Sequence, residues 1–177
     1  MMYRSNLMDV LLYATENPRN LGSIIRTSVG FGLPRIHIYD KNKLLRHEDT
    51  LATMKAVCRR GREHKIEIKS VDDPEDFVDS YTHKYATLIS TRSARLGDSE
   101  ENFRFERDGL IIFGCEGIGL PRKISRRNGV QKILIPTINE VQCFGLAEAY
   151  SIIIYEYLRQ QATLPEFKIE EVRSAES

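Results

Sequence analysis

Leu110-Ile111-Ile112-Phe113-Gly114-Cys115-Glu116-Gly117-Ile118-Gly119-Leu120-Pro121 is the stretch on which the fold turns. It opens on an unbroken apolar run, too continuous for a strand with one wet face. Such strands lie in parallel sheets covered by helices on both faces. The run breaks into a turn whose three glycines surround one carboxylate, and a helix is expected after Gly119-Leu120-Pro121. Glycines there let a ligand or another backbone come close. The turn lacks the Gly-Lys-Ser/Thr ending of a phosphate-binding loop, and Gly117-x-Gly119 without a third glycine is a poor dinucleotide fingerprint. Glu116 is either a site carboxylate or a residue at the positive end of the next helix.

Outward from this stretch, short apolar runs alternate with segments of helical period, the pattern of an α/β fold. The strand candidates are Val10 to Ala14, Arg35 to Tyr39, Lys65 to Lys69, Tyr85 to Ser90, Gly109 to Phe113 and Lys132 to Ile135. Leu21, Ile24, Ile25, Ser28 and Val29 mark a helix capped by Asn20 and ended by Gly30 and Gly32. The last helix carries Leu146, Ala149, Tyr150, Ile153, Ile154, Tyr157 and Leu158 on one stripe, with Pro165 beyond its end. Further helices are expected near His47 to Arg60, from Asp73-Pro74, and after Pro121.

Composition narrows the function classes. The 177 residues are 41% hydrophobic and 29% charged, the proportions of an ordinary folded domain, which excludes disorder, collagen and coiled coil. Residues 1–165 are read as one domain and the polar residues 166–177 as a fraying tail. No apolar run approaches the roughly 20 residues of a membrane span and the N-terminus has no signal-peptide core, so a cytoplasmic protein is expected. Cys58, Cys115 and Cys143 include no Cys-x-x-Cys, which argues against a disulfide framework or a zinc knuckle, and no metal is expected. The net charge of +1 will not by itself attract nucleic acid, so any basic footprint must be local.

Two further segments feed the same sheet edge. Asn17-Pro18-Arg19-Asn20-Leu21-Gly22 runs from the first strand into a helix containing Arg26, then Phe31-Gly32. Asn20 has a purely structural reading as a helix cap, worth about 1 kcal/mol. Arg26 sits inside an otherwise apolar helix face, one turn on from Gly22, where a guanidinium would need partners if buried. Ile135-Pro136-Thr137 leads through Cys143-Phe144-Gly145 into the last helix. A thiol at a helix N-terminus can be a nucleophile, although a small buried Cys is the simpler reading of Cys143.

In order and spacing, these three segments resemble the three motifs of the SpoU/TrmH family of SPOUT-class methyltransferases, from about Val10 to Arg159. The resemblance implies transfer of a methyl group from S-adenosylmethionine to a ribose 2′-hydroxyl of tRNA or rRNA. It implies a trefoil-knotted C-terminal half, from about Phe113 to the last helix, and a homodimer packed through the knot. The cofactor would lie against Ile89, Ser90, Thr91, Gly114, Glu116, Gly117, Ile135, Thr137, Cys143 and Leu146. Arg26 would activate the ribose hydroxyl, while Asn20 and Glu116 would shape and orient the site, helped by the partner subunit. Because a guanidinium stays protonated, Arg26 would act electrostatically or with help from an RNA phosphate or a close partner.

The third motif departs from the family pattern, in which Ile-Pro-Met precedes a Ser-Leu-Asn triplet. Cys143 and Gly145 hold the serine and asparagine positions. Loss of a transition-state donor there can reduce turnover about 100-fold, so the alternative is a weak or inactive relative that binds RNA or protein. An unrelated doubly wound enzyme would need coincidence in all three motifs. Candidate RNA contacts are Arg19, Arg26, the cluster of Arg59, Arg60 and Arg62, and the cluster of Arg122 and Lys123 with Arg126 and Arg127.

Overall fold

In a computed structural model, residues 7–58, 66–97, 103–138 and 143–162 are described. Strands β1 (Asp9–Tyr13), β2 (Arg35–Tyr39), β3 (Glu67–Ser70), β4 (Lys84–Thr87), β5 (Ala94–Arg95), β6 (Leu110–Phe113) and β7 (Val130–Leu134) form one sheet. It is parallel throughout, in the order β3-β2-β1-β6-β4-β7-β5. Helices α1 (Pro18–Phe31), α2 (Glu48–Cys58), α3 (Pro74–Asp79) and α4 (Arg122–Ser125) lie between strands, and α5 (Leu146–Gln160) follows the last of them.

Parallel β6 sits between β1 and β4, pairing Val10 with Ile111 and Ala86 with Ile112. Leu110 to Phe113 are each 0% exposed, as their unbroken apolar character requires. Alternate residues face opposite layers. Val10, Leu12, Ile111 and Phe113 pack with Ile24 and Ile25 of α1 and Tyr150 and Tyr157 of α5. Leu11, Tyr13, Leu110 and Ile112 pack with Val78 of α3 and Ile124 of α4. The α/β class with helices on both faces therefore holds.

The stripe on α5 is buried as expected, and Tyr157 ties it to the sheet by accepting from Met8 N at 3.0 Å and donating to Arg107 O at 2.7 Å. Helix α1 packs so closely on α2 that a Cβ on Gly22 would stand 2.8 Å from Val57 Cβ, which explains a glycine inside a helix.

Several boundaries differ from the sequence reading. Helix α1 is capped not by Asn20 but by Asn17, whose side chain accepts from Arg19 N at 2.9 Å. Pro18 then occupies the first turn, where its missing N–H costs nothing. Gly32 takes the left-handed C-cap conformation at φ 72, while Gly30 lies inside the helix. Strand β4 stops at Thr87, so Leu88 to Ser90 belong to the loop beyond it, and β1 and β7 each begin and end earlier than expected. Two short elements had no sequence signal: β5, and a 3-10 turn at Leu44–Arg46. Part of the expected α2, with Arg59, Arg60 and Arg62, and the tail 166–177 lie outside the described residues.

Candidate active site

The strand order reverses direction between β1 and β6, and the loops after these strands diverge from that point to leave a crevice. Glu116 stitches the two loops together. Its Oε1 accepts from Thr15 Oγ1 at 2.8 Å, Asn20 Nδ2 at 3.0 Å and Asn17 N at 3.3 Å, and its Oε2 accepts from Glu16 N at 3.0 Å. Burial opposes the charge, but bonds from Asn20, the local backbone and Thr15 outweigh it and hold the carboxyl below its ordinary value. Glu116 is thus fully engaged in positioning, and Asn20, displaced from the cap, serves it directly.

The Gly114 to Leu120 turn closes on itself through paired backbone bonds between Cys115 and Gly119, at 3.2 and 2.9 Å. A Cβ on Gly114 would come within 2.6 Å of Gly119 C and 2.7 Å of Leu120 N, so only glycine allows this closure.

Against these loops lies a cavity of about 590 Å³. Its walls come from the ends of β4 and β6 (Thr87 to Ile89, Phe113 to Glu116), from β7 and beyond (Ile133 to Ile135), and from Cys143 to Leu146, with Asn17, Asn20, Gly119, Ala149 and Ile153. All three motifs meet here. Of the expected cofactor residues, Ile89, Gly114, Glu116, Ile135, Cys143 and Leu146 line the cavity, whereas Ser90, Thr91, Gly117 and Thr137 lie outside its lining. The strand-end residues Leu88, Ile133 and Leu134 were missed, although their position at the carboxyl edge was a usable signal.

Cys143 is exposed, which corrects its reading as a buried packing residue. Arg26 is exposed too, is absent from the cavity lining, and has no hydrogen bond or ion pair to another described residue. Arg19, Arg122 and Lys123 are also exposed. Lys123 is tied to Glu75 at 2.7 Å, and Arg127 pairs with Glu75 and Asp79, so half of that basic cluster is neutralised by α3. Among the described residues no group of His, Cys, Asp and Glu is arranged to hold a metal, and no helix is long and apolar enough to cross a membrane.

The chain is similar to the tRNA (cytidine(34)-2′-O)-methyltransferase of Aeromonas hydrophila, at 28% identity over 87% of this chain and 94% of that one. Its fold is similar to that of the TrmH/SpoU tRNA modifying enzyme of A. aeolicus, with a TM-score of 0.72 and 20% identity over 98% of this chain and 87% of that one. The AdoMet-bound rRNA methyltransferase of Sinorhizobium meliloti has the same fold, with a TM-score of 0.68 and 22% identity over 90% of this chain and 58% of that one. Residues 8–155 match the SpoU rRNA Methylase family, the span that contains all three motifs and every wall of the cavity, and the chain belongs to that family.

Proposed function

We propose that this protein transfers a methyl group from S-adenosylmethionine to a ribose 2′-hydroxyl of RNA, with tRNA the first substrate class to test. The observation that carries the reading is one cavity at the carboxyl edge of the sheet, walled jointly by the three motif loops. A cavity of about 590 Å³ is of the size that holds a nucleoside-sized ligand. Ile89 and Phe144 on its wall are 63% and 40% exposed, apolar surface that a flat base would cover. The residues present therefore fit S-adenosylmethionine, which supplies an activated methyl group on a sulfonium. The Sinorhizobium protein of the same fold was solved with AdoMet bound, and the Aeromonas relative is named for tRNA.

The chain's own residues would do the rest. Glu116 and Asn20 hold the first and second motif loops at a fixed spacing, which keeps ligand and substrate in register. Leu88, Ile135 and Leu146 exclude water from one wall. In the homodimer that the family resemblance implies, packed through a knotted C-terminal half, the exposed Arg26, which lies outside that wall, would serve the cavity of a second copy. Ile152 and Tyr155 on the outer side of α5, 37% and 48% exposed, offer apolar surface for such packing. Residues 1–165 are read as one cytoplasmic methyltransferase domain with 166–177 as its tail.

Calorimetry with S-adenosylmethionine and S-adenosylhomocysteine tests the reading, beside an Ile89→Glu variant that puts a charge on the cavity wall at an exposed position. Binding by the wild type, weakened at least about tenfold in the variant, supports it. Failure to bind either ligand rejects it and leaves the binding-module reading, which Gly145 favours.

A further inference from the structure

The loop after β2, Asp40-Lys41-Asn42-Lys43-Leu44-Leu45-Arg46, carries three cations and takes no part in the site above. Two sets of hydrogen bonds fix it. Asp40 uses its carboxylate to close the turn, Oδ1 accepting from Leu44 N at 2.7 Å and Oδ2 from Leu45 N at 3.0 Å. Asn42 Nδ2 donates to Ala14 O at 3.3 Å, and Ala14 leads into Thr15 to Asn17, the segment bonded to Glu116 at the cavity. The loop is thus held on the carboxyl edge of the sheet in register with the first motif. Lys41, Lys43 and Arg46 are exposed and make no side-chain hydrogen bond or ion pair with any described residue. Lys123 and Arg127, by contrast, are neutralised by α3.

Beside this loop lies a second cavity of about 200 Å³, lined by Tyr39, Leu45 and Arg46 from the β2 side and by Ser70 and Asp72 from the β3 side. It stands about three strand spacings from the larger cavity along the same edge, or roughly 14 Å. Sites for whole small molecules are larger, about 300 Å³ and upward, so this one suits a single ring system. The Arg46 guanidinium only donates, the Asp72 carboxylate only accepts, and the Ser70 hydroxyl does both. Arg46 and Asp72 line one cavity yet do not pair with each other, and the Ser70 hydroxyl has no partner among the described residues. A free anion is repelled by Asp72 and a free cation by Arg46. The edge of an unpaired base carries donors and acceptors together and suits both. Tyr39, its ring packed on Tyr13 with centroids 5.0 Å apart, and Arg46 are residue types on which bases stack. Lys41 and Lys43 on the adjoining loop supply the charge that a phosphate backbone requires. We propose that this second cavity binds one unpaired base of the substrate RNA, with Lys41 and Lys43 on the phosphates beside it, so that the reacting ribose is measured off from a nucleotide held roughly 14 Å away. The assignment rests on the methyltransferase reading above and adds to it a site for the substrate strand.

Two variants of the full chain separate base from backbone. In both, S-adenosylmethionine affinity is expected within twofold of wild type by calorimetry, because neither alters a residue of the larger cavity. Binding of a pool of unmodified tRNA transcripts is followed by fluorescence anisotropy across a salt series. Lys41→Gln combined with Lys43→Gln is expected to weaken binding about tenfold and to lower the salt slope by about 1.4, the loss of two phosphate contacts on a single strand. Asp72→Ala is expected to weaken binding about fivefold with the slope unchanged, although it removes a negative charge that a plain basic patch would bind RNA better without. Binding that is unchanged or tightened in Asp72→Ala, or unchanged in the double-lysine variant, overturns the inference while the methyltransferase reading stands. A wild type that binds S-adenosylmethionine but no tRNA does the same. A wild type that fails to bind S-adenosylmethionine, while both variants still weaken tRNA binding, overturns the methyltransferase reading and keeps the base site as part of an RNA-binding module.

Discussion

The two edges of the sheet each hold a carboxylate kept ionised by its neighbours, and they differ in what surrounds it. At the amino edge, Asp9 accepts from Arg35 Nε at 2.6 Å and from Tyr81 OH at 2.8 Å, with His37 Nε2 at 3.6 Å and too far for a bond. Burial opposes its charge, but the hydrogen bonds from Arg35 and Tyr81 outweigh it and hold its carboxyl far below the carboxylate range. At the carboxyl edge Glu116 is likewise lowered, by Asn20 and backbone N–H groups. Only Glu116 borders the cavity. A perturbed carboxylate is therefore not itself the mark of a site; here its setting beside a cavity distinguishes the functional one.

The sharpest way to break this comparison is to remove each carboxylate in turn. Asp9→Ala strands Arg35 and the Tyr81 hydroxyl and is expected to cost about 2–3 kcal/mol in urea unfolding, with S-adenosylmethionine affinity unchanged within twofold by calorimetry. Glu116→Ala is expected to reverse the pattern: methyl transfer to tRNA transcripts falls about 100-fold because the loops lose their spacing, while stability falls by only about 1 kcal/mol. Equal effects of both variants on binding would erase the distinction between the edges.

A paired glycine test sharpens it within one loop. Gly114→Ala forces a Cβ against the Gly119 backbone and should cost about 2 kcal/mol together with cofactor affinity. Gly117→Ala meets nothing closer than Glu16 Oε2 at 3.7 Å and should be near neutral in the same assays.

The smallest expected effect is in acid. Both carboxylates have lowered folded pKa values, so their stabilisation is complete above the ordinary carboxylate range and is lost as pH falls through it toward the lowered values. The thermal midpoint of Asp9→Asn should fall about 3 °C less than that of wild type between pH 6 and 3, as followed by circular dichroism.

The fold was legible wherever one local signal sufficed. The run Leu110 to Phe113 announced a strand buried on both faces, and the α5 stripe announced its own burial. The first helix cap was misplaced because Asn17 and Asn20 are equally good capping residues, and the choice rested on Pro18, whose preference for the first turn was overlooked. Strand β5 has two residues, and only pairing with β7 defines it. In the site, Glu116 and Asn20 were identified by their motifs, but their bond to each other spans 96 positions and has no sequence period. The neutralisation of Lys123 and Arg127 by Glu75 and Asp79 is equally non-local. The burial expected for Cys143 failed because its neighbours Phe144 and Gly145 are exposed loop residues at the cavity rather than core.

The position of β6 bears on how the chain acquires its shape. Strands β1, β2 and β3 neighbour one another in sequence order and can pair as soon as they are synthesised, yet the centre of the sheet stays open until Leu110 to Phe113 slot in beside β1. Glu116 then closes its bonds to a loop made about a hundred residues earlier, the separation being 101 positions for Thr15. Contacts of such range slow folding because the intervening chain must lose its freedom before they form. The junction that organises the cavity is thus completed late, and a nascent chain that stops short of residue 110 carries half a sheet with an unpaired apolar edge, a surface for chaperones rather than for substrate.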